Sequence, residues 1–272
     1  MIDHYLKINP LEEREKIIKF IKGVFKKQQF SKAVIGLSGG VDSTTSLYLL
    51  TKAIPVKNII VAHLYYYQPQ MTEVNRVLKR LRVPKKNIYI KSIKNIVDKI
   101  ASFDLRKGLD YNDKFLNDQK IRLGNIMARV RMIILYDLAK KHRALVCGSE
   151  NKSEYFLGYF TRFGDQASDF EPIRHLYKTQ VYKLAKYIGL PKKIINIQPT
   201  AALWPGQTDE GDFGFSYKEA DQVLYLYFDK HLPVEKIVKK GYRNAKKIIK
   251  RCQNNRFKHL VPYAIKEDFK FL

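Results

Sequence analysis

The amino-acid sequence predicts an α/β fold: a Rossmann-like parallel sheet flanked by helices, with a helical C-terminal region. Three observations support this prediction. Short apolar, β-branched runs alternate with segments of helical periodicity, as βαβ units require. The first apolar run ends in a glycine-rich turn that leads directly into a helix-like segment. Residues 233–252 show helical periodicity with no further strand pattern.

The elements follow in a regular order. Residues 11–27 carry apolar side chains on one face and charges elsewhere, which predicts an amphipathic helix. Residues 33–37 form an apolar, β-branched run of the kind found in buried parallel strands. The remaining predictions are a helix over 43–53, strands over 58–64 and 87–93, a helix over 72–81 with Thr72 as its N-cap, a helix over 115–142 broken near Gly124, and a strand over 144–147.

Two segments with little periodicity, residues 161–171 and 205–213, are rich in Gly and Asp. The second is predicted to be a mobile loop or lid. The helical segment 233–252 is covered with Lys and Arg, which is compatible with an RNA-binding helix or with a solvated basic face. No linker or repeat divides the chain, so we expect a single domain over residues 1–272, without a glutaminase domain.

Composition narrows the class of protein. The chain has 272 residues, of which 45% are hydrophobic, enough for a sizeable core. No apolar run approaches the ~20 residues of a membrane helix, and the N-terminus lacks the apolar region of a secretory signal. Cys147 and Cys252 lie far apart and suggest neither a metal site nor a disulfide framework. These features predict a cytoplasmic protein with no membrane partner.

The formal net charge of +25 favours anionic partners, among them nucleotides, pyrophosphate, RNA and acidic surfaces. The alternative is a lysine-rich protein with solvated helix faces. Lysines occur along most of the chain rather than in one tail. The charge alone therefore does not identify a partner, and nucleic acid is not expected to be one.

Residues 36–43, Gly-Leu-Ser-Gly-Gly-Val-Asp-Ser, have the features of a phosphate-binding loop. The glycines let the backbone approach a ligand, and a helix beginning near Asp42 would point free N–H groups at it. The lysine of a Walker A loop is absent, and the glycine spacing does not fit a dinucleotide fingerprint. Because Asp42 would repel phosphates unless it held a cation, the loop implies Mg²⁺.

The segment after the strand at 144–147 carries a second carboxylate. Residues 148–154 read as a strand end, a polar turn and a helix start, and Glu154 lies about one turn into that helix. Loops at the carboxyl ends of neighbouring strands converge, so Glu154 and Asp42 could hold one Mg²⁺ on ATP phosphates. Alternatively, Glu150 and Glu154 merely favour a helix N-terminus.

The 36–43 loop resembles the pyrophosphate-binding loop of the ATP pyrophosphatases, which cleave ATP between its α and β phosphates. A further set of segments, in the same order, resembles the ammonia-dependent NAD synthetase family. This resemblance extends from the N-terminal helix almost to the C-terminus and implies a fold of the adenine nucleotide alpha hydrolase type. The segments lie at 36–43, 124–132, 148–154, 159–173, 178–191, 199–210 and 257–262.

The resemblance implies ATP-dependent amidation of nicotinic acid adenine dinucleotide (deamido-NAD) by a homodimeric ligase, with Mg²⁺ as cofactor and ATP as co-substrate. The implied ATP site comprises Gly36, Leu37, Ser38, Gly39, Gly40, Val41, Asp42, Ser43, Ser149, Lys178 and Thr200. The implied deamido-NAD site comprises Arg129, Arg162, Asp169, Lys258 and His259. The implied metal ligands are Asp42 and Glu154, and the implied catalytic residues are Asp42, Lys178 and Asp165.

Three positions depart from the family pattern. Ser149 stands where many members have Thr and keeps the hydroxyl, and Arg162 stands where Lys is common and keeps the charge but changes the donor geometry. Phe257 stands where some members have His, so the contact made by that His is not expected here. None of the three departures removes a group that the reaction requires. Free ammonia, or ammonia from a separate partner, is the expected nitrogen source. The alternative functions are a tRNA-modifying ATP pyrophosphatase, for which Cys147 and Cys252 are poorly spaced, and a non-catalytic nucleotide-binding or RNA-binding protein.

Overall fold

A parallel β-sheet forms the centre of the molecule. The computed structural model describes residues 6–68, 71–104 and 113–260. Within these residues the sheet has four strands in the order β3–β2–β1–β4. The strands are β1 (Lys32–Gly36), β2 (Ile59–Tyr65), β3 (Ile88–Ser92) and β4 (Ala144–Cys147). The predicted α/β class and the four predicted strands are confirmed.

Helices surround the sheet and form most of the C-terminal part. They are α1 (Pro10–Gln28), α2 (Val41–Ala53), α3 (Met71–Arg80), α4 (Lys94–Ala101), α5 (Asp113–His142), α6 (Lys152–Leu157), α7 (Lys178–Tyr187), α8 (Lys192–Ile195), α9 (Asp209–Phe213), α10 (Tyr217–Leu224), α11 (Val234–Lys239) and α12 (Ala245–Asn255). None of the helices in the described ranges is both long enough and apolar enough to cross a bilayer.

The register of the sheet determines where a ligand can bind. Strand β1 lies between β2 and β4 and is parallel to both, with Ile35 opposite Val61 on one side and Cys147 on the other. The carboxyl ends of the three strands therefore lie at the same edge of the sheet. Because loops at this edge form the ligand crevice of open α/β sheets, the segments after β1 and β4 are placed side by side.

Two apolar layers bury the sheet. Helices α1, α2 and α7 pack on one another and, with residues such as Ile35 and Leu47, form the core on one face. Helices α4 and α5 cover the other face, where Val34 and Met127 are fully buried. Burial on both faces explains why the strands read as continuous apolar runs.

A separate apolar cluster joins the C-terminal helices to the sheet domain. Helix α10 packs against α6, α7 and α12, and Leu157, Tyr217 and Ile248 are among the buried residues of this cluster. The cluster fixes the C-terminal helices to α6 and α7, which follow the last strand. The crevice at the sheet edge therefore has a helical wall.

Some predicted boundaries are wrong. Helix α5 runs without a break through Gly124. The side chain of Leu203 packs so closely against Gly124 that an added Cβ would lie 2.8 Å from Leu203 Cδ1. The glycine therefore permits close packing rather than ending the helix. Thr72 lies inside α3, which begins at Met71, so it is not the N-cap.

The last two predicted segments also differ. The segment 205–213 is not wholly a loop, because α9 begins at Asp209 with Thr208 as its N-cap. The segment 233–252 forms two helices, α11 and α12, separated at Gly241, whose φ of 94° is unfavourable for other residues. Helices α4, α7, α8 and α10 were not predicted. Residues 261 and 262 of the 257–262 motif lie outside the described residues.

Candidate active site

The 36–43 loop connects β1 to the N-terminus of α2. Gly39 adopts a φ of 94°, which turns the chain sharply, and a Cβ there would lie 3.3 Å from Val74 Cγ2. The hydroxyls of Ser38 and Ser43 are 2.9 Å apart, and Ser43 Oγ also accepts a hydrogen bond from Ser38 N–H. The loop is therefore closed on itself, and it leads into the N-terminus of α2, where the first N–H groups have no partner within the helix.

A buried histidine on β2 supports this loop. His63 Nδ1 lies 2.7 Å from the carbonyl oxygen of Leu37, so we assign the proton to Nδ1. Leu37 N–H in turn donates to the carbonyl of Ala62. The two contacts fix the backbone at the start of the loop against the neighbouring strand.

The segment after β4 reaches the loop through Asn151. The Asn151 side chain caps α6 by accepting from Glu154 N–H, and Glu154 Oε2 lies 3.5 Å from Asn151 N, as in a capping box. The same Asn151 side chain donates from Nδ2 to Asp42 Oδ1 at 3.0 Å. Because Asn151 is fully buried, it fixes Asp42 and Glu154 relative to each other.

Lys178, the first residue of α7, joins the two carboxylates. Its Nζ lies 2.5 Å from Asp42 Oδ2 and 3.1 Å from Glu154 Oε1. The lysine side chain is only 3% exposed, against 16% for Asp42 and 17% for Glu154. The structure therefore brings together the three residues that the sequence proposed for metal binding and phosphate chemistry.

Around the Lys178 ammonium, negative charge exceeds positive charge. Burial alone lowers the pKa of Lys178, but the carboxylates of Asp42 and Glu154 raise its pKa overall, so the lysine is an ammonium. Burial raises the pKa of Glu154, the Lys178 ammonium acts to lower it, and the neighbouring Asp42 carboxylate raises it. Because the carboxylates of Asp42 and Glu154 share the single ammonium ion of Lys178, a further cation would be attracted to this position.

The donor set fits Mg²⁺ in chemical type. Mg²⁺ is usually held by one or two carboxylates together with substrate phosphates and water, rather than by an all-protein cage. Asp42 and Glu154 supply two such carboxylates beside the 36–43 loop. No group of three or more His, Cys, Asp or Glu residues in the described ranges is arranged to hold a metal.

Comparison with known proteins places this site in a family. The NAD synthase family model matches residues 13–262, which include all the elements named in this site. The chain belongs to the NAD synthase family. An NH₃-dependent NAD⁺ synthetase from Fusobacterium nucleatum is 37% identical over 269 residues, covering 96% of this chain and 98% of that protein.

Solved structures of NAD synthase relatives share the fold. The NH₃-dependent NAD synthetase from Campylobacter jejuni has a TM-score of 0.75 at 28% identity, covering 95% of this chain and all of that one. The NMN synthetase from Francisella tularensis has a TM-score of 0.77 at 28% identity, covering 97% of this chain and all of that one. These matches support ATP-dependent amidation with ammonia and do not favour a tRNA-modifying enzyme.

In this NAD synthase chain, most of the residues that the sequence predicted to bind deamido-NAD lie around residues 158–165. Arg129 Nε donates to the carbonyl of Arg162, and the Arg162 guanidinium lies 5.8 Å from the Phe257 ring centroid. Lys258 Nζ donates to the carbonyls of Gly158 and Phe160. His259 packs on the Tyr155 ring, and Asp165 Oδ1 accepts from Thr161 N–H.

Three other expected residues are placed differently. Asp169 accepts from Val146 N–H and borders a cavity of about 470 Å³ beside α1, lined also by Phe20 and Lys27. Thr200 is exposed, and its hydroxyl accepts from Ala202 N–H. Ser149 lies half-buried in the turn after β4. Asp169 and Thr200 therefore bond to backbone N–H groups rather than to Lys178 or its two carboxylates.

The sequence argument missed Asn151 and His63. Asn151 precedes Glu154 by three residues, and this N-cap spacing signals a helix start without indicating a contact with Asp42. His63 lies inside an apolar strand, where it reads as a core residue. Both assignments depend on contacts between distant segments, which spacing along the chain does not reveal.

Proposed function

We propose that this chain catalyses the ATP-dependent amidation of deamido-NAD with ammonia, giving NAD, AMP and pyrophosphate. The observation that carries the proposal is the position of Lys178, whose ammonium is held by Asp42 and Glu154 beside the 36–43 loop. An ATP α–β bond placed at this edge would have a cation and a helix N-terminus beside its leaving group.

In the proposed first step, the nicotinate carboxylate of deamido-NAD attacks the α-phosphate of ATP and displaces pyrophosphate, giving an acyl-adenylate. Lys178 and the N–H groups of the 36–43 loop stabilise negative charge on the departing pyrophosphate. Ammonia then attacks the acyl carbon and AMP leaves with its electron pair. Because the nucleophile is a substrate in both steps, the nicotinate carboxylate in the first and ammonia in the second, no side chain of the protein becomes covalently attached.

We assign Asp42 and Glu154 as the ligands of Mg²⁺. When bound, Mg²⁺ would neutralise phosphate charge and help to align the triphosphate. The assignment is supported by the two carboxylates that share one ammonium ion. Lys178 is then available to pair with phosphate oxygens as a point charge.

The remaining binding roles follow the same division. Residues 36–43 hold the ATP phosphates, with Ser149, Lys178 and Thr200 as further ATP contacts. Arg129, Arg162, Asp169, Lys258 and His259 bind deamido-NAD, and Asp165 positions or deprotonates ammonium. The carbonyl contacts of Lys258 and the ring contact of His259 support a rigid wall for this substrate.

We further propose that two copies of the chain complete the site. A groove of about 700 Å³ between α4 and α5 includes Arg122 and Arg129, and the α5 residues Ile121 and Ile133 are 53% and 58% exposed. Apolar side chains beside a basic groove are compatible with a partner that covers part of a bound dinucleotide. We propose a cytoplasmic location, which fits the free, buried thiols of Cys147 and Cys252.

A substrate panel tests the proposal. Purified protein is incubated with ATP, Mg²⁺ and ammonium, and with either deamido-NAD or nicotinic acid mononucleotide. We expect amidation of deamido-NAD with a kcat/KM at least about tenfold higher than for the mononucleotide, because the basic groove would contact the second nucleotide. A preference for the mononucleotide would contradict the assigned substrate and would favour the activity named for the Francisella relative.

A further inference from the structure

A buried carboxylate on α10 contacts the N-terminus of α7. Asp221 is fully buried, and its Oδ2 accepts a hydrogen bond of 2.8 Å from Thr179 N–H. Its Oδ1 accepts from the hydroxyl of Ser153 on α6. Neither Asp221 nor Ser153 has a binding role in the assignments above. The burial of Asp221 therefore needs an explanation, because burying a carboxylate costs free energy unless hydrogen bonds or charges compensate for the lost water.

Ser153 extends this contact to Lys178. Ser153 Oγ accepts a hydrogen bond of 2.8 Å from the backbone N–H of Lys178. Asp221 thus satisfies Thr179 N–H directly and Lys178 N–H through the Ser153 hydroxyl. These are the first two N–H groups of α7, and groups in this position have no partner within the helix. A negative charge here also complements the helix dipole.

The same face of α10 contacts the other end of the lysine. Tyr217 precedes Asp221 by four residues, so both side chains project from one side of the helix. Lys178 Nζ lies 5.2 Å from the Tyr217 ring centroid, and Tyr217 OH donates to Asp209 Oδ2 at 2.9 Å. Helix α10 therefore contacts the Lys178 ammonium through Tyr217 and reaches the Lys178 N–H through the Ser153 hydroxyl.

We propose that Asp221 is a positioning residue for adenylation. Through Ser153 and Thr179 it fixes the first turn of α7 so that the Lys178 ammonium stays at the phosphate edge of the crevice. The proposal depends on the proposed role of Lys178 in pyrophosphate release. It assigns to the C-terminal helices a part in the reaction, in addition to their part in the core.

Asp221→Asn tests the proposal with little change of volume. The single carbonyl oxygen of Asn can replace only one of the two acceptors, and its amide group would face a donor at the other. We expect the single-turnover rate constant of pyrophosphate release to fall about 10-fold to 100-fold, because a displacement near 1 Å at a catalytic group has effects of this size. The rate constant for amidation of preformed acyl-adenylate should stay within about threefold of the original.

Glu219→Gln is the matched control. Glu219 also lies on α10, and its carboxylate accepts from the backbone and side-chain nitrogens of Asn244, just before α12. It therefore supports a different helix and does not contact Lys178. A loss of stability common to both variants reduces the amplitude of the single turnover, whereas only Asp221→Asn should reduce its rate constant.

Ser153→Ala gives a second, independent test. It should slow pyrophosphate release in the same range, and the double variant should be no slower than about twofold below the slower single variant, because both changes break one chain of contacts. A rate constant for Asp221→Asn equal to that of Glu219→Gln would overturn the proposal. If Asp221→Asn does not fold, an unchanged rate constant in Ser153→Ala overturns it. Absence of pyrophosphate from the unmodified protein would instead refute the proposed function.

Discussion

At the scale of single residues, the charge around Lys178 distinguishes structural from catalytic roles. The carboxylates of Asp42 and Glu154 approach its Nζ from the first turns of two different helices, α2 and α6. An ion pair this deeply buried is weak support for stability, because desolvation offsets much of the Coulomb attraction. The arrangement is better explained by the proposed role of Lys178, which places a positive charge beside the phosphates of ATP.

Removal of the Lys178 ammonium tests two proposed roles, the stabilisation of pyrophosphate by Lys178 and the binding of Mg²⁺ by Asp42 and Glu154. In Lys178→Ala we expect pyrophosphate release to fall at least about 100-fold, because the charge stabilising the leaving group is lost. The two remaining carboxylates repel each other, so Mg²⁺ alone should raise the melting temperature of this variant more than that of the unmodified protein. Thermal denaturation with and without Mg²⁺ measures the second effect. Equal shifts in both proteins would contradict Asp42 and Glu154 as metal ligands.

Glu150 provides a test at a second buried carboxyl group. Burial raises its pKa to about 9, although Arg174 Nη2, 2.7 Å from Oε2, acts to lower it. Between the ordinary value of 4.5 and about 9, the folded chain therefore holds a proton that the unfolded chain has lost. The free energy of unfolding must then decrease as pH rises through this window.

Glu150→Gln should remove that pH-dependent loss. We expect the variant to be more stable than the unmodified protein by about 1–3 kcal/mol at pH 8, with the difference vanishing near pH 4. Thermal denaturation across this range measures the effect. Glu235→Gln, at an exposed carboxylate on α11, should show almost no change. A variant at Glu150 that is less stable at pH 8 would show that the charged pair with Arg174 dominates.

At the scale of elements, the turn after β4 depends on one close approach. The Glu171 carboxylate accepts from Glu150 N–H at 3.0 Å and from Ser168 Oγ at 2.8 Å, and it lies directly over Gly148. A Cβ at residue 148 would collide with this carboxylate. The glycine is therefore needed because another group occupies the space of a side chain.

Gly148→Ala should lower the free energy of unfolding by about 1–3 kcal/mol and displace the turn that leads to Glu154. Gly23→Ala is the matched control, because it lies inside α1 with open space around its Cα. That change should increase stability by roughly 0.5–1 kcal/mol, since alanine is the better helix former. Denaturant unfolding of both variants checks the prediction. Equal effects would refute the close approach at Gly148.

Local patterns predicted the strands and the 36–43 loop because those depend on neighbouring residues. Apolar runs identified the strands, and the Gly and Ser spacing identified the loop. The same rules failed at Gly124, where packing against Leu203 rather than a helix break explains the glycine. The same rules predicted one helix in place of α11 and α12. The helical periodicity is similar on both sides of Gly241, so the pattern did not indicate the turn there.

The carboxylates and the lysine of the site were identified from the sequence, but their contacts were not. Asp42 and Lys178 are 136 residues apart, and only the order of the strands and the packing of α7 on α2 bring them together. Asp221 has no distinguishing signal in the sequence, because an Asp inside a helix pattern reads as a solvent-facing residue. Its burial becomes evident only once α10 is packed against α6 and α7.

At the scale of the whole molecule, the proposed dimer depends on the exposed face of α5. Helix α5 carries exposed apolar side chains next to the groove. In the proposed dimer, a second chain covers these side chains and completes the dinucleotide site. Sedimentation at micromolar concentration should give the mass of two chains. Substitution of Ile133 by Asp should shift the equilibrium to single chains and raise the KM for deamido-NAD. Full activity in a single-chain species would contradict the shared site.

The net charge of +25 is compatible with anionic substrates, but it exceeds what one nucleotide site requires. Nine exposed Lys and Arg residues lie between Lys230 and Arg256, on and around α11 and α12.

The central claim, that the molecule couples α–β cleavage of ATP to amidation, is tested most directly by product stoichiometry. The protein is mixed with limiting deamido-NAD and excess ATP, Mg²⁺ and ammonium, and all nucleotide products are quantified. The account predicts NAD, AMP and pyrophosphate in equal yields. Without ammonium, it predicts only acyl-adenylate and pyrophosphate, each in an amount equal to that of the enzyme. Formation of ADP and phosphate in place of AMP and pyrophosphate would contradict it.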